Sequence, residues 1–478
     1  MIKNKPRVET IRQLNLYTPT NEKSKFTLKI SVKYSQHSHK YNKTTEHNFN
    51  KDIFYHFPIV INEDNSPWPD ANRYLLSKLT NIITPKHRTL ESIASDIVNY
   101  RRWLLEENID YLYTSPRTRA RPTYRYCSFL HNEIKAGKIK PQTAKRRMSS
   151  IQGFYRWLIN DGHLFEHPLW VEDNTQIMFN NISGFKQSKT VISTDLTRSF
   201  KMTKNSDNYS KHINDGGKLR PLPIEEQKAI VESLLRIGNI EMLLAFLIAL
   251  TTGARLQTVF TLRQQNFNQP LRNDNYNHKI KVGRGTLVNT KNEKQMVIMI
   301  PAWLYRKIKI YLQCDRYKKR LHLSKHTYKN NDEQYVFLTR YGQPYYMADN
   351  DEFSFIYRTP PRGNSITQFI RQQLKPDIKN NGLSFDFRFH DLRASFGMNL
   401  LEGKLKFNTH DIAGQHNNPD LFQILMYVRE RMGHSLLSTT ESYLNYRQHY
   451  HLAMHVQSEY EKYLKKITNA FGEQNDLD

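Results

Sequence analysis

The chain has 478 residues, too many for one comfortable hydrophobic core, so two to three domains are expected. Its 71 Lys and Arg against 45 Asp and Glu leave a net charge of +26, which points to a polyanionic partner, nucleic acid first and an acidic membrane surface second. Two cysteines, Cys127 and Cys314, exclude a disulfide framework and a cysteine zinc site, and suit a reducing compartment.

The N-terminal MIKNKPRVETIRQLNLY has no apolar stretch of the kind a secretory signal needs. A soluble cytoplasmic protein is expected. Residues 1–84 are polar and mixed. TLKISVKY (27–34) alternates like a strand and YHFPIVIN (55–62) reads as another, so a small α/β region is expected there.

Residues 85–165 change character. In TLESIASDIVNYRRWLLEEN the residues Ile93, Ile97, Tyr100 and Leu104 form one apolar helical face, with Thr89 as N-cap. A second helix is expected within 121–137, stopped by Gly137, and a third over 141–161. The third has Met148, Ile151, Tyr155 and Leu158 on its apolar face and Lys145, Arg146, Arg147 and Arg156 largely elsewhere. This is a small helical domain with a basic exterior, the natural DNA-binding surface of the chain. Residues 166–220 are polar, basic and without sustained period, and read as a solvated linker that could also touch a DNA backbone.

From Pro221 regular pattern returns. PIEEQKAIVESLLRI and NIEMLLAFLIALTTG read as helices, the second ended by Gly253. Its apolar run, 242–250, falls far short of the roughly 20 residues a bilayer span requires and reads as a buried core helix. A short helix ARLQTVFTLR follows, then strands and turns over 279–301, a helix over 302–321, an extended segment with a turn at Gly342, and mainly helix to about residue 467. Residues 468–478 read as a frayed tail. The fold class expected is α+β: mainly helical, with a small antiparallel sheet.

Four segments of the domain at 221–467 place a basic residue or a tyrosine in a suggestive setting. TTGARLQTVFTLR has Arg255 just after a helix-breaking glycine, and LVNTKNEKQMVIMIP has Lys291 in a hairpin with Lys294 as its neighbour. FHDLRASFGMNLL puts His390 and Arg393 on one helical face, and RMGHSLLSTTESYLNY carries His434 and Tyr443, with Tyr446 as the rival tyrosine. Two arginines can each give bidentate bonds to phosphate oxygens. A tyrosine hydroxyl, pKa about 10 when free, attacks phosphorus only with help from positive charge and a proton acceptor. Histidines supply donors or an acceptor near neutral pH, and a lysine can protonate a departing alkoxide. Together these describe phosphoryl transfer through a covalent phosphotyrosine. No carboxylate or third histidine accompanies His390 and His434 at ligand spacing, so no metal and no cofactor is expected.

The order Arg, Lys, His-x-x-Arg, His, Tyr resembles the tyrosine recombinases, the phage-type integrases. TGARLQTVFTL resembles their first arginine box, HDLRASFG their H-x-L-R box, and MGHSLLSTTESYLNY their L-G-H-S-x-x-x-T-T-x-x-Y segment, with the same nine-residue interval from histidine to tyrosine. The helical region at 85–165 looks like the family's core-binding domain, and the likeness covers about residues 85–465. The resemblance implies Tyr443 as nucleophile forming a 3′-phosphotyrosine, Arg255 and Arg393 as a clamp on the non-bridging oxygens, and Lys291 as acid toward the leaving 5′-oxygen. It implies His390 and His434 as phosphate ligands, with His390 the better placed to take the tyrosine proton. It also implies double-stranded DNA held between two domains, a homo-tetramer on DNA, accessory DNA-bending proteins, and a possible arm-binding role for residues 1–84. A type IB topoisomerase and a non-catalytic DNA-binding protein on the same fold stay open as alternatives. Two departures stand out. Three residues after Arg255 the family commonly has an acid, and here there is Thr258; and Arg393 to His434 is longer than usual, with 401–422 and the basic 315–333 reading as insertions.

Overall fold

A computed structural model of the chain describes residues 4–20, 26–36, 39–79, 86–180, 186–200, 212–273, 276–326, 328, 330–349, 351–410 and 421–447. The chain divides into two compact units: Met1–Lys204 with Glu352–Thr359, and Asn205–Asp351 with Pro360–Asp478. It is mainly helical with small antiparallel sheets, the class expected from the sequence.

The first unit opens with β1 (Arg7–Thr20), β2 (Phe26–Gln36) and β3 (His39–Ile61), an antiparallel sheet with β3 in the middle. Four helices follow: α1 (Pro69–Ser77), α2 (His87–Glu106), α3 (Pro122–Lys135) and α4 (Pro141–Asn160). Proline begins α1, α3 and α4, where its fixed φ suits the first turn and its missing N–H is no loss. The helix expected to be capped by Thr89 starts three residues earlier, at His87, with Lys86 in the cap position and no side-chain cap. The expected apolar face of α4 is buried: Met148, Ile151, Tyr155 and Leu158. The buried Tyr155 hydroxyl donates to the Tyr111 carbonyl at 2.9 Å, so in its 2.6 Å bond with Tyr100 the proton must come from Tyr100.

The boundary expected at residue 84 lies outside the described residues, and residues on either side of it share one core. One core runs from Phe57 and Val60 of β3 through α1 to α4 and on to Leu196 and Phe200. The linker expected at 166–220 includes regular structure among its described residues. It contains a hairpin, β4 (Glu172–Asn180) with β5 (Lys186–Thr194), and the single turn α5 (Asp195–Arg198). Its apolar residues are too sparse for a period, yet Leu169, Trp170, Leu196 and Phe200 each reach the core. Thr194 accepts from the Thr197 N–H to cap α5 and also bonds Gln152 of α4 at 2.6 Å.

The second unit begins with a short hairpin, β6 (Ile213–Asn214) and β7 (Lys218–Leu219). Then come α6 (Ile224–Ile237), α7 (Ile240–Thr252) and α8 (Leu256–Phe260), and the pair β8 (Asn277–Val282) and β9 (Met296–Pro301). Next are α9 (Ala302–Gln313) and α10 (Asp315–His322), then α11 (Asn364–Phe369) and α12 (Lys375–Asn380). Last are α13 (Asp391–His410), α14 (Leu421–Met432) and a final helix, α15, over 437–447. The nearly all-apolar α7 is the buried helix its composition suggests; Asn239 caps it and Gly253, at φ +66°, ends it. Part of the basic stretch 315–333 serves the interior: Arg316 and Arg320 both reach the buried Glu241, at 2.8 and 2.9 Å. Residues 411–420 of the expected insertion, the helix expected to continue to 467 and the tail lie outside the described residues. Among the described residues no helix is long and apolar enough to cross a membrane.

Candidate active site

The tip of the β6–β7 hairpin is the centre of the site. Ile213 faces Leu219, and both are buried among Ala394, Phe396 and Met398 of α13. That pairing leaves Asp215-Gly216-Gly217 as a three-residue tip, with Gly216 at φ +70°, a conformation glycine adopts without strain. Asp215 is buried, and four of the predicted side chains converge on its carboxylate.

Arg255 stands at the cap of α8, just past the left-handed Gly253 that turns the chain out of α7. Its Nη2 donates to Asp215 Oδ1 at 3.2 Å. Arg393, in the first turn of α13, donates from Nε to Oδ2 at 2.6 Å. Its other two nitrogens donate to the carbonyls of Gly253 and Met432, each at 2.7 Å. This guanidinium therefore ties the end of α7 and the end of α14 to the site.

His434 follows Gly433, whose φ of +64° closes α14. Its Nε2 lies 3.1 Å from Asp215 Oδ2 and its Nδ1 3.0 Å from the Thr440 hydroxyl. A carboxylate only accepts, so Nε2 carries the proton; in the neutral ring Nδ1 then accepts from Thr440. The second threonine of the TT-x-x-Y segment thereby fixes the imidazole. Tyr443, on α15, is fully buried, and its hydroxyl donates to Asp215 Oδ2 at 3.2 Å. Tyr446, one turn on, lines a cavity with Pro221, Leu222 and Met398 instead.

Lys291 lies in the long β8–β9 turn, as the hairpin reading expected. Its ammonium sits over the Asp215 hairpin, where a Cβ built on Gly216 would come within 2.8 Å of Nζ. Lys294 is committed differently: its Nζ donates to the Gly433 carbonyl at 2.9 Å. His390 is not inside the helix, as its spacing with Arg393 suggested, but in the turn leading into α13, where its carbonyl accepts the Arg393 N–H at 3.2 Å.

The electrostatics follow from one anion among buried cations. Burial alone would raise the Asp215 carboxyl. The hydrogen bond from His434 and the charges of Arg393 and Arg255 overcome that and hold it well below the usual carboxylate range. Burial pushes the Tyr443 phenol well up, the Asp215 charge adds to this, and the two arginines oppose it. His434 is lowered by burial in spite of Asp215 and is neutral at pH 7. Burial and then the charges of Arg393 and Arg255 bring His390 down to about 4.

Acid should destabilise the fold through His390. An unfolded histidine titrates near 6.5, so between that value and about 4 the unfolded chain binds a proton the folded chain refuses. Stability therefore falls on acidification through this window, by about 1 kcal/mol per pH unit. Urea midpoints at pH 7 and 5 should show the loss, and His390→Gln should flatten it.

Gly397 of α13 is there because the Tyr443 ring leaves no room. A Cβ would lie 2.5 Å from Tyr443 Cε1 and 3.1 Å from Met432 Cε. Gly397→Ala should destabilise the second unit by about 1–3 kcal/mol in a urea melt, the usual cost of overpacking, although alanine is the better helix former.

Three features of the site escaped sequence reasoning: Asp215, Thr440 and Gly397. The missing acid near the first arginine is filled here by Thr258, whose hydroxyl donates to the Asn289 carbonyl at 2.9 Å. The site's carboxylate comes instead from Asp215. The four basic residues expected to touch DNA all lie on α4 in the first unit. Arg146 is paired with the buried Asp96 at 2.7 Å and Arg156 with Glu172 at 3.0 Å, while Lys145 is exposed and Arg147 half-buried. Among the described residues no group of three His, Cys, Asp or Glu could hold a metal ion.

No family model and no curated protein matches the chain. Solved structures similar to it include the Tn1549 transposon integrase in complex with circular intermediate DNA, at 12% identity and a TM-score of 0.42, covering 78% of this chain and 94% of that one. A lambda integrase dimer bound to a COC′ core site is similar at 13% identity and a TM-score of 0.42, covering 79% of this chain and 95% of that one. At such identity and TM-score the reading of function rests on the chain's own residues.

Proposed function

We propose that the protein is a site-specific DNA recombinase or integrase of the tyrosine recombinase class, which cleaves and rejoins duplex DNA through a 3′-phosphotyrosine at Tyr443. One observation carries the reading: Arg255, Arg393, His434 and Tyr443 all bond the two oxygens of a single anion. Side chains that gather around a carboxylate in this way suit the two non-bridging oxygens of a phosphodiester.

With the diester in the clamp, Arg255 and Arg393 give charge-assisted hydrogen bonds to its non-bridging oxygens, and His434 adds a neutral one. The Tyr443 oxygen attacks phosphorus and its proton passes to the neutral His390. The bond from phosphorus to the 5′-oxygen breaks, and Lys291 protonates that oxygen as it leaves. A phosphotyrosine diester replaces a DNA diester, so attack by a 5′-hydroxyl reverses the step without external energy. The exposed basic surface of α4, Lys145 in particular, contacts DNA phosphates, and binding weakens steeply with salt. Strand exchange between two duplexes calls for several protomers, a tetramer in the simplest arrangement.

The test is a pool of nicked duplexes from the source genome, incubated with the protein in EDTA without ATP. An adduct that survives denaturing detergent and leaves a free 5′-hydroxyl supports the reading. No adduct with any duplex in the pool, despite DNA binding, supports a non-catalytic DNA-binding protein instead.

A further inference from the structure

We infer that Asp215 is an internal surrogate for the DNA phosphate, holding the arginine clamp assembled when no DNA is bound and leaving it before strand cleavage. The inference rests on the phosphotyrosine reading of the site and concerns its regulation. Each carboxylate oxygen is accounted for: Oδ1 takes Arg255, and Oδ2 takes Arg393, His434 and Tyr443. A phosphodiester offers the same single negative charge and two acceptor oxygens to the same donors. One clamp cannot serve both anions, because like charges inside one shell of hydrogen bonds repel.

Burial points the same way. Tyr443, Arg393 and His434 are all sealed from solvent in this arrangement, with the hairpin tip among them, so a phosphate on a duplex cannot meet them until the packing opens. The tip is built to yield. Ile213 and Leu219 anchor the hairpin strands in the core, while Gly216 and Gly217 follow the acid directly. Among the described residues, a Cβ on Gly217 would meet nothing within 4 Å, so none of them crowds the tip there. The carboxylate has a second effect, since its charge opposes ionisation of the Tyr443 phenol. Its departure both frees the arginines and eases formation of the nucleophile. Before DNA arrives, the same carboxylate offsets the repulsion between the buried Arg393 guanidinium and the half-buried Arg255.

The experiment uses full-length protein and inorganic phosphate as the probe. Thermal unfolding of the wild type should be insensitive to 10 mM phosphate (roughly ten times a millimolar Kd). Asp215→Asn should gain several degrees from it, and Arg255→Gln added to that variant should abolish the gain. On nicked DNA, Asp215→Asn should reach half-maximal adduct at roughly tenfold lower DNA concentration, with no slower single-turnover cleavage. Wild type stabilised by phosphate as strongly as Asp215→Asn would overturn the inference. So would slower cleavage by a folded Asp215→Asn protein, which would make the acid a requirement of the chemistry. If Asp215→Asn does not fold, Asp215→Ser refolded with and without phosphate decides: phosphate entering the vacated clamp restores folding, and failure of that rescue sinks the idea. If no DNA gives an adduct in any variant, the phosphotyrosine reading fails, while the phosphate response still decides the role of Asp215.

Discussion

Arg393→Gln is expected to abolish adduct formation and to destabilise the second unit by about 3–5 kcal/mol, the usual cost of removing one partner from a buried ion pair. The reason is that Arg393 does two jobs at once. It is 1% exposed, and its three nitrogens bond Asp215, Gly253 and Met432. Glutamine can replace at most part of this set, leaving buried acceptors unsatisfied and Asp215 short of its closest cation. Urea denaturation followed by far-UV dichroism measures the stability loss, and the adduct gel the loss of chemistry. Arg255 gives the contrast. It is half-buried, and among the described residues its side chain makes one hydrogen bond, 3.2 Å, to Asp215, so Arg255→Gln should remove the adduct at a much smaller cost in stability. Equal stability losses for the two variants would mean that Arg255, too, is a structural cross-link.

The second large effect concerns the leaving group. Lys291→Met should slow cleavage of ordinary DNA by about 10²- to 10⁴-fold, the range for loss of a general acid. It should recover on DNA whose scissile 5′-bridging oxygen is sulfur, because a thiolate leaves without a proton. Lys294→Met should not be rescued this way. Its ammonium holds the Gly433 carbonyl and so supports the turn that carries His434. If sulfur rescues Lys294→Met and not Lys291→Met, the two assignments exchange.

Much of this site is legible in the amino-acid sequence. Arg255 is marked by the glycine that ends α7, Arg393 and His390 by their three-residue interval, and His434 and Tyr443 by the segment that joins them. These signals are local, because each depends on a helix end or a short spacing that the chain itself encodes. Asp215 is not legible, for the opposite reason. It contacts Arg255 from 40 residues away, Arg393 from 178 and Tyr443 from 228. Its only local signature is N-D-G-G between Ile213 and Leu219, a turn signal with an apolar residue on each side, set in a segment that otherwise reads as linker. The first unit behaves in the same way. The periodic faces of α2 and α4 are readable, whereas Leu169, Trp170, Leu196 and Phe200 enter the core singly and carry no period. The basic residues of α4 show the limit from another side. Arg146 and Arg156 look like free surface cations in the sequence, and acids distant in sequence or beyond the helix end claim both.

Covalent attachment of DNA to Tyr443 is the central claim. The direct measurement is to trap the adduct on nicked DNA in EDTA, digest the protein and the DNA, and locate the residual nucleotide by mass spectrometry. The expected result is a 3′-linked nucleotide on Tyr443, and no adduct from Tyr443→Phe. A nucleotide on Tyr446, or an adduct undiminished in Tyr443→Phe, would contradict it.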